Sequence, residues 1–349
     1  MQLWKSRSIN AVDLGHHSIK IIQLTKKGQA LQVSRQVSQP GPGLEALERG
    51  NVTELAASLG EAAVRAGIDG GRVISFIGGH HVIIRQIVTP QMPEDELQRA
   101  MVWEAEKLIP IPTAELEVRP VVLEKSPGDT GDYLQLNVLL AAVSRSLVYR
   151  FHEIFDRAGL TLTAVDLPAL GLWRVFHREY GFPERKNIQA VVDIGSRTCQ
   201  FIVIKQNVLS YVRTLGVGVG RSDSAPGEEF TAGLPDPGEG SGLPEVYQQA
   251  GAASEQSFPS GAGDYLELVT EIRRSLDFYR LRERQWQIEQ LVITGGGSQL
   301  KGLADILALE LGIPVKAGYP QWQGNSGEMQ SLSPQFSMAF GLALREVWS

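Results

Sequence analysis

An aspartate, a glycine and a hydroxyl residue recur at one spacing in the two halves of this chain. Residues 11–22 read Ala-Val-Asp-Leu-Gly-His-His-Ser-Ile-Lys-Ile-Ile, and residues 191–202 read Val-Val-Asp-Ile-Gly-Ser-Arg-Thr-Cys-Gln-Phe-Ile. Asp13 is followed by Gly15 and Ser18, and Asp193, 180 residues later, by Gly195 and Thr198. Each stretch reads as a strand ending in a carboxylate, a tight glycine turn with exposed backbone N–H groups, and a hydroxyl directed into the gap. Two such hairpins facing each other across a cleft can surround a triphosphate with N–H donors. Their two carboxylates would then hold Mg²⁺ through its waters. Two unrelated Asp-x-Gly turns are the alternative. The matching register, with each copy opening a strand-rich half, favours a duplication.

A third segment, Leu291-Val-Ile-Thr-Gly-Gly-Gly-Ser298, is an apolar strand running into glycines and then a helix. Gly295, Gly296 and Gly297 would let the backbone approach a flat base or a phosphate closely, although an ordinary α/β turn has the same look.

The elements that must position these residues follow from periodicity. Short apolar strands are expected at 9–14, 18–24 and 30–37, a helix over 52–66 closing at Gly67, and a further strand at 73–77. The pattern then changes to a strand at 82–88, a helix opened by Pro93 with Leu97, Met101, Ala105 and Leu108 on one face, and strands at 117–123 and 133–143. A helix over 146–158 and a strand over 161–165 come next, so residues 80–165 read as an inserted α+β subdomain. Strands at 188–194, 199–205 and 208–214 repeat the opening pattern. Asp264 is expected to cap a long helix, and helices are expected over 299–311 and 335–347.

Between them the composition collapses. Residues 216–263 contain 11 Gly, 5 Pro and 6 Ser, with one basic residue against seven acidic ones. Such a segment buries too little apolar surface to offset its ordering entropy, so it reads as loop or disordered.

Composition sets outer limits. At 349 residues, 43% hydrophobic and 21% charged, the chain is globular and long enough for two domains. The net charge is −6 and no Lys/Arg run exceeds two residues, which argues against a nucleic-acid partner. Cys199 is the only cysteine, so no internal disulfide forms. Residues 1–10 lack a signal-peptide core, and Leu134–Val143, broken by Gln135 and Asn137, is too short to span a membrane. A cytoplasmic location is expected.

The two hairpins and the glycine segment, in this order, resemble the phosphate-1, phosphate-2 and adenosine motifs of the actin-like ATPase superfamily. The insertion at 80–165 is similar to the arrangement of FtsA and PilM. Arg85-Gln-Ile-Val-Thr-Pro-Gln-Met-Pro93, Trp103-Glu-Ala-Glu-Lys-Leu-Ile-Pro110, Glu271-Ile-Arg-Arg-Ser-Leu-Asp-Phe-Tyr279, Gly295-Gly-Gly-Ser-Gln-Leu-Lys-Gly-Leu303 and Met338-Ala-Phe-Gly-Leu-Ala-Leu344 resemble the PilM family of type IV pilus assembly, over nearly the whole chain apart from 216–263.

The resemblance implies an α/β, actin-like (ribonuclease H-like) fold with domain 1 at 1–180 and domain 2 at 181–349. It implies ATP and Mg²⁺ as cofactors. Asp13, Gly15, Ser18 and Lys20 would form the first phosphate hairpin, Asp193, Gly195 and Thr198 the second, and Gly295, Gly296 and Gly297 the adenosine wall. Asp13 and Asp193 would hold the Mg²⁺. The implied partners are the cytoplasmic N-terminal segment of PilN, in a groove involving the strand at 82–88, and the other inner-membrane pilus proteins and motor of twitching motility. Contact with the membrane would run through these partners.

Two departures are visible. The second phosphate motif usually carries its threonine one position later, where Cys199 stands. The small subdomain, which usually supplies a Glu-x-x-Lys contact, falls in 216–263, where only Glu245-Val-Tyr-Gln is present. Slow or absent turnover is therefore expected. An FtsA-like filament protein and a sugar-kinase-type phosphotransferase are the competing readings.

Other features have plainer readings. The His16–His17 and His80–His81 pairs are adjacent, and neighbours on a strand point to opposite faces, which disfavours a shared metal. Cys199 reads as a small core residue. Trp103 sits off the apolar stripe of its helix, with packing within the inserted module favoured over exposure to a partner. Arg273 and Arg274 read as a solvated helix flank. Ala339, Gly341 and Ala343 read as a close-packing patch.

Overall fold

The computed structural model describes residues 7–27, 30–68, 70–127, 133–177, 188–220, 262–283, 287–324 and 327–347. The chain opens with three antiparallel strands, β1 (Arg7–Leu14), β2 (Ser18–Lys27) and β3 (Ala30–Pro40), followed by helices α1 (Glu45–Glu48) and α2 (Val52–Ala66) and strand β4 (Arg72–Phe76). Asn51 caps α2 by accepting from the Glu54 N–H at 3.3 Å, and Gly67, at φ 65°, ends it. An inserted module comes next: β5 (Val82–Pro90), α3 (Glu94–Leu108), β6 (Leu116–Pro127) and β7 (Leu134–Ser144). The helix expected at its end, α4 (Arg145–Arg157), instead packs Leu147, Phe151, Ile154 and Phe155 into the first-half core with α2. Then β8 (Thr161–Asp166) pairs in parallel with β4 and closes a five-stranded sheet of order β3-β2-β1-β4-β8.

Helix α5 (Pro168–Phe176) leads into the second half, where β9 (Ile188–Ile194), β10 (Cys199–Lys205) and β11 (Val208–Leu215) repeat the opening meander. Helix α6 (Ala262–Arg282), β12 (Gln290–Thr294), α7 (Leu303–Leu311) and β13 (Val315–Ala317) complete a second sheet of order β11-β10-β9-β12-β13. A hairpin, β14 (Gln321–Gln323) and β15 (Met329–Ser331), precedes the last helix, α8 (Ser337–Leu344).

Period-two alternation divides each sheet between two cores. On β1, Val12 and Leu14 pack with α2 and α4, whereas Ile9 and Ala11 face a core shared with the other half. On β9, Ala190, Val192 and Ile194 pack with α6 and α7, whereas Val191 faces the shared core. Helices α5 and α8 fill the space between the two inner faces and belong to that shared core. They cross with Gly341 against the backbone of Gly171, where a Cβ on Gly341 would overlap the Gly171 carbonyl. The small-residue patch at 339–343 is therefore a helix-packing surface.

The inserted strands form their own sheet, order β5-β7-β6, with α3 on one face over Leu136, Val138, Leu140 and Ala142. The other face reaches the second half. Gln86 Nε2 donates to the Ser210 carbonyl at 2.8 Å, and Arg282 Nη1 donates to Gln86 Oε1 at 3.1 Å.

Several elements differ from expectation. The helix expected to start with Asp264 as cap begins at Ala262, so Asp264 lies within its first turn. The helix expected from 299 starts at Leu303, after a 3₁₀ turn at Gly297–Gln299, because Gly302 adopts φ 81°. The last helix is shorter than 335–347. Helix α5 had no expected counterpart: it has nine residues, and Trp173 and Arg174 are the only ones not buried, so its polar face is too short to mark the helix in the sequence. Trp103 is 59% exposed instead of packed in the module, with Lys107 Nζ 3.0 Å above its ring. Most of the degenerate segment at 216–263, including Glu245, lies outside the described residues.

The α5–α8 crossing yields a stability contrast. Gly→Ala in a helix ordinarily gains about 1 kcal/mol. For Gly341→Ala the backbone overlap outweighs that gain, for a net loss of about 1–3 kcal/mol in denaturant unfolding. Gly171→Ala, whose nearest neighbour would be the flexible Met338 Sδ at 3.4 Å, is close to neutral.

Candidate functional site

The strand alternation that builds the shared core also places the two aspartates. Asp13 lies on the same side of β1 as Ile9 and Ala11, and Asp193 on the same side of β9 as Val191. Each is the last inward residue of its strand, so the apolar core between the sheets ends in two carboxylates. Asp13 is 6% exposed and Asp193 is half-buried.

The turns after them are alike. Gly15 N–H donates to the Ser18 carbonyl at 3.1 Å, and Gly195 N–H to the Thr198 carbonyl at 3.2 Å. At both glycines a Cβ would press on that carbonyl, at 2.9 and 2.5 Å. Ser18 and Thr198 thus occupy equivalent places, and Cys199 pairs with Ile194 as Ile19 pairs with Leu14. Within this chain the two hairpins are in register, with no shift at Cys199. The Cys199 Sγ donates to the Val217 carbonyl at 3.0 Å, and burial pushes its thiol up to about 12, so it is a neutral core residue.

A further repeat becomes visible only in the folded chain. After β3, Gly41 N–H donates to the His17 carbonyl at 3.2 Å. After β11, Val219 and Gly220 N–H donate to the Gly195 and Ser196 carbonyls at 3.1 and 2.7 Å. A Gly-x-Gly stretch thus follows the third strand and bonds to the turn in each half, at 41–43 and 218–220, but one position out of step in strand register and to different carbonyls of the turn. Its sequence signal is the alternation of glycine in 216–220, which the low complexity of residues 221–263 obscures.

Opposite the aspartates the halves differ. Lys20 pairs with Asp13 across β1 and β2, and its Nζ lies 3.3 Å from Asp13 Oδ2 with the side chain only 14% exposed. Gln200 takes the equivalent place opposite Asp193. Its amide is used within the sheet, with Nε2 donating to the Arg213 carbonyl at 3.0 Å and Oε1 accepting from Thr214 Oγ1 at 3.3 Å. Burial, and then the Asp13 charge, raise the Asp193 carboxyl from 3.8 to about 7, while Lys20 lowers it. Asp13, Lys20 and Asp193 therefore act on one another electrostatically.

The glycine run meets the second hairpin. Gly295, at φ 83°, has no room for a side chain, since a Cβ would overlap Asp193 Oδ1. Gly297 lies against Ile194 and Val219, whereas Gly296 is exposed, with nothing within 4 Å of a Cβ built on it. From the first half, the turn at Gly79–His81 approaches Thr198, with a Gly79 Cβ position 3.9 Å from its Cγ2.

The donor set suits a hard cation carried by a phosphate. Two carboxylates with neighbouring hydroxyls are oxygen ligands of the kind Mg²⁺ takes when substrate phosphates complete its shell. Among the described residues no group of three or more His, Cys, Asp or Glu is placed to hold a metal. The histidine pairs lie in turns and not on strands, with the His80 and His81 rings 4.2 Å apart, so strand alternation does not describe them. Arg273 and Arg274 bond to Glu310 and Glu271 on the helix surface. Asp166, at the end of β8, accepts from the Leu167 N–H at 2.8 Å and from Arg174 at 2.7 Å, with Arg345 at 3.8 Å.

A family model described as type IV pilus assembly protein PilM matches residues 11–224 and 265–347. The chain belongs to that family. Among solved structures it is similar to a chain described as a PilM-PilN type IV pilus biogenesis complex. The identity is 25% and the TM-score 0.72, over 97% of this chain and 98% of that one. Weaker likenesses include the ethanolamine utilization protein EutJ from Carboxydothermus hydrogenoformans, at 12% identity, 97% and 89% coverage and TM-score 0.45. Another is a Bacteroides thetaiotaomicron protein described as having an actin-like ATPase fold and unknown function, at 8% identity, 89% and 90% coverage and TM-score 0.45. The fold of this PilM-family chain is the actin-like one, with two sheets of duplicated order.

The position of Asp193 makes stability depend on pH. Its carboxyl keeps its proton in the folded protein up to about pH 7, whereas the unfolded chain loses it near 3.8. Its ionisation therefore opposes folding increasingly from pH 4 to 7 and by a constant amount above. Asp193→Asn removes that cost. In the metal-free protein its unfolding free energy, read by denaturant titration, rises relative to wild type across that window, then holds an advantage on the order of 2–4 kcal/mol, the lower end reflecting partial exposure. Gly295→Ala, by displacing the Asp193 carboxylate, flattens the same pH dependence and destabilises the fold.

Proposed function

We propose that this PilM-family protein binds Mg²⁺–ATP between the two facing hairpins and holds an extended segment of a partner along the inserted module, as a scaffold of type IV pilus assembly. The observation that carries the reading is the placement of Asp13 and Asp193 as the last inward residues of two equivalent strands, each followed by the same glycine turn. Ser18, Thr198 and the turn backbones would face the phosphates, Lys20 would add a cation, and Gly296 would lie toward the nucleoside. Asp13 and Asp193 would hold the metal, which supplies charge neutralisation for the phosphates. Residues 1–180 and 181–349 would act as the two domains that the nucleotide holds together.

The partner side rests on strand order. In the β5-β7-β6 sheet, β5 is an edge, and its residues from Val82 to Pro90 are all half-buried or exposed. An edge of that length offers backbone groups and alternate side chains to an added strand. The likeness to a PilM-PilN complex supports PilN as the partner, and its N-terminal segment is the occupant proposed for this edge. Among the described residues no helix is long and apolar enough to cross a membrane. A place at the cytoplasmic face of the inner membrane, reached through partners and connected to the motor, agrees with this.

Holding is favoured over turnover. A hydrolytic or phosphotransfer role needs a carboxylate poised to take a proton or orient water. Asp166, at the carboxyl end of β8, is committed to Leu167, Arg174 and Arg345. Calorimetric titration with Mg²⁺–ATP is expected to show one site per chain, with hydrolysis far below the several turnovers per second of motor ATPases. A peptide of the PilN N-terminus is expected to bind, and Val88→Pro on β5 to weaken it. Absence of binding by both ligands would refute the scaffold reading.

A further inference from the structure

The two hairpins match in turn and strand register, yet they differ in what stands opposite each aspartate. Lys20 directs an ammonium at Asp13, at 3.3 Å, from a side chain that is largely buried. Gln200 carries no charge, and its amide is engaged by Arg213 and Thr214. The Lys20 Nζ also lies 3.5 Å from the Cβ position of Gly15, so it sits beneath the first phosphate turn.

We infer that Lys20 is a specificity-determining residue that closes the site to free divalent cations, so that metal enters only with a polyphosphate. The inference rests on the proposed nucleotide site and adds a condition to it.

The effect is electrostatic. A divalent cation without phosphate would have only Asp13 and, above about pH 7, Asp193 as anionic ligands, since no third His, Cys, Asp or Glu joins them among the described residues. The Lys20 ammonium already occupies one oxygen of Asp13 and repels a second cation at close range. Two carboxylates opposed by a buried ammonium make a poor site for a hydrated, hard ion that dehydrates reluctantly. A polyphosphate changes the balance. Its oxygens bring several negative charges and give the Lys20 ammonium a new partner beneath the same turn, which releases Asp13 toward the metal. Lysine suits this better than arginine in one respect: it is a compact point charge on a flexible stem that can exchange partners without losing a bidentate geometry. Gln200 cannot play the equivalent part, because it is uncharged and its amide belongs to the β10–β11 ladder.

The test uses Mn²⁺ alone as the probe, with electron paramagnetic resonance or calorimetry on the full chain. Wild type and Lys20→Arg, which keeps the charge, are expected to bind Mn²⁺ weakly. Lys20→Gln, which makes the first hairpin resemble the second, is expected to bind it at least about tenfold more tightly and to gain melting temperature on Mn²⁺ addition. Equal Mn²⁺ affinity in wild type and Lys20→Gln would overturn the inference. So would tight binding of Mn²⁺ by wild type, which needs no variant. Should Lys20→Gln unfold, Lys20→Met gives the same comparison, and its failure to gain Mn²⁺ affinity while folded overturns the inference equally. Binding of Mg²⁺–ATP to wild type is measured in parallel. A gain of Mn²⁺ affinity in Lys20→Gln without Mg²⁺–ATP binding to wild type leaves the gate standing and removes the nucleotide reading. Mg²⁺–ATP binding without that gain does the reverse.

Discussion

The packing of α5 against α8 is the contact on which the rest of the molecule depends. These helices lie between the inner faces of the two sheets, and Gly341 rests on the backbone of Gly171 where a side chain would collide. The apolar residues around them, from Ile22 and Leu24 on one sheet to Val191 and Ile202 on the other, form a single core. That core sets the spacing of the sheets, and the spacing sets how near Asp13 comes to Asp193. A larger residue at the crossing would therefore be felt both as lost stability and as a wider gap between the carboxylates.

Where the shared core ends, its chemistry changes abruptly. Burial raises the Asp193 carboxyl to about 7, with Asp13 adding to the effect and Lys20 opposing it. One buried ammonium partly offsets two carboxylates, an arrangement that leaves room for a cation delivered together with its own anion. The duplicated backbone provides two nearly equivalent turns, and the single Lys20/Gln200 difference makes them electrically unequal. Functional asymmetry in this fold thus comes from side chains placed on a symmetric frame.

The inserted module is tied to both halves. It grows from the first sheet between β4 and β8, and through Gln86 it bonds to Ser210 of β11 and to Arg282 of α6. Its edge strand β5 carries Gln86 itself. A segment laid along β5 would sit next to the bonds that connect the module to the second half. The exposed Trp103, with Lys107 over its ring, lies on the opposite, α3 side of the module, away from those bonds.

Much of this was legible in the sequence, for a local reason. A strand that ends in Asp-x-Gly and alternates apolar residues specifies its own turn and the face on which its aspartate lies. Asp13, Gly15 and Ser18, and Asp193, Gly195 and Thr198, therefore take the places their spacing suggests. The α2 boundaries, with Asn51 and Gly67, were written in the same local code. Helix α5 was not legible, because in its nine residues only Trp173 and Arg174 break the apolar run, too few to set a period. The exposure of Trp103 was not legible either, since one aromatic residue off a stripe fits a buried or an open position equally well. What tertiary structure alone decided was the relation between the halves: that Asp13 and Asp193 face each other, that Gly295 must be bare to fit beside Asp193, and that Lys20 is held near Asp13 while Gln200 is drawn into its sheet. These depend on contacts between residues far apart in the chain, Gly171 with Gly341 above all, and no local pattern records a distance set by packing across a shared core.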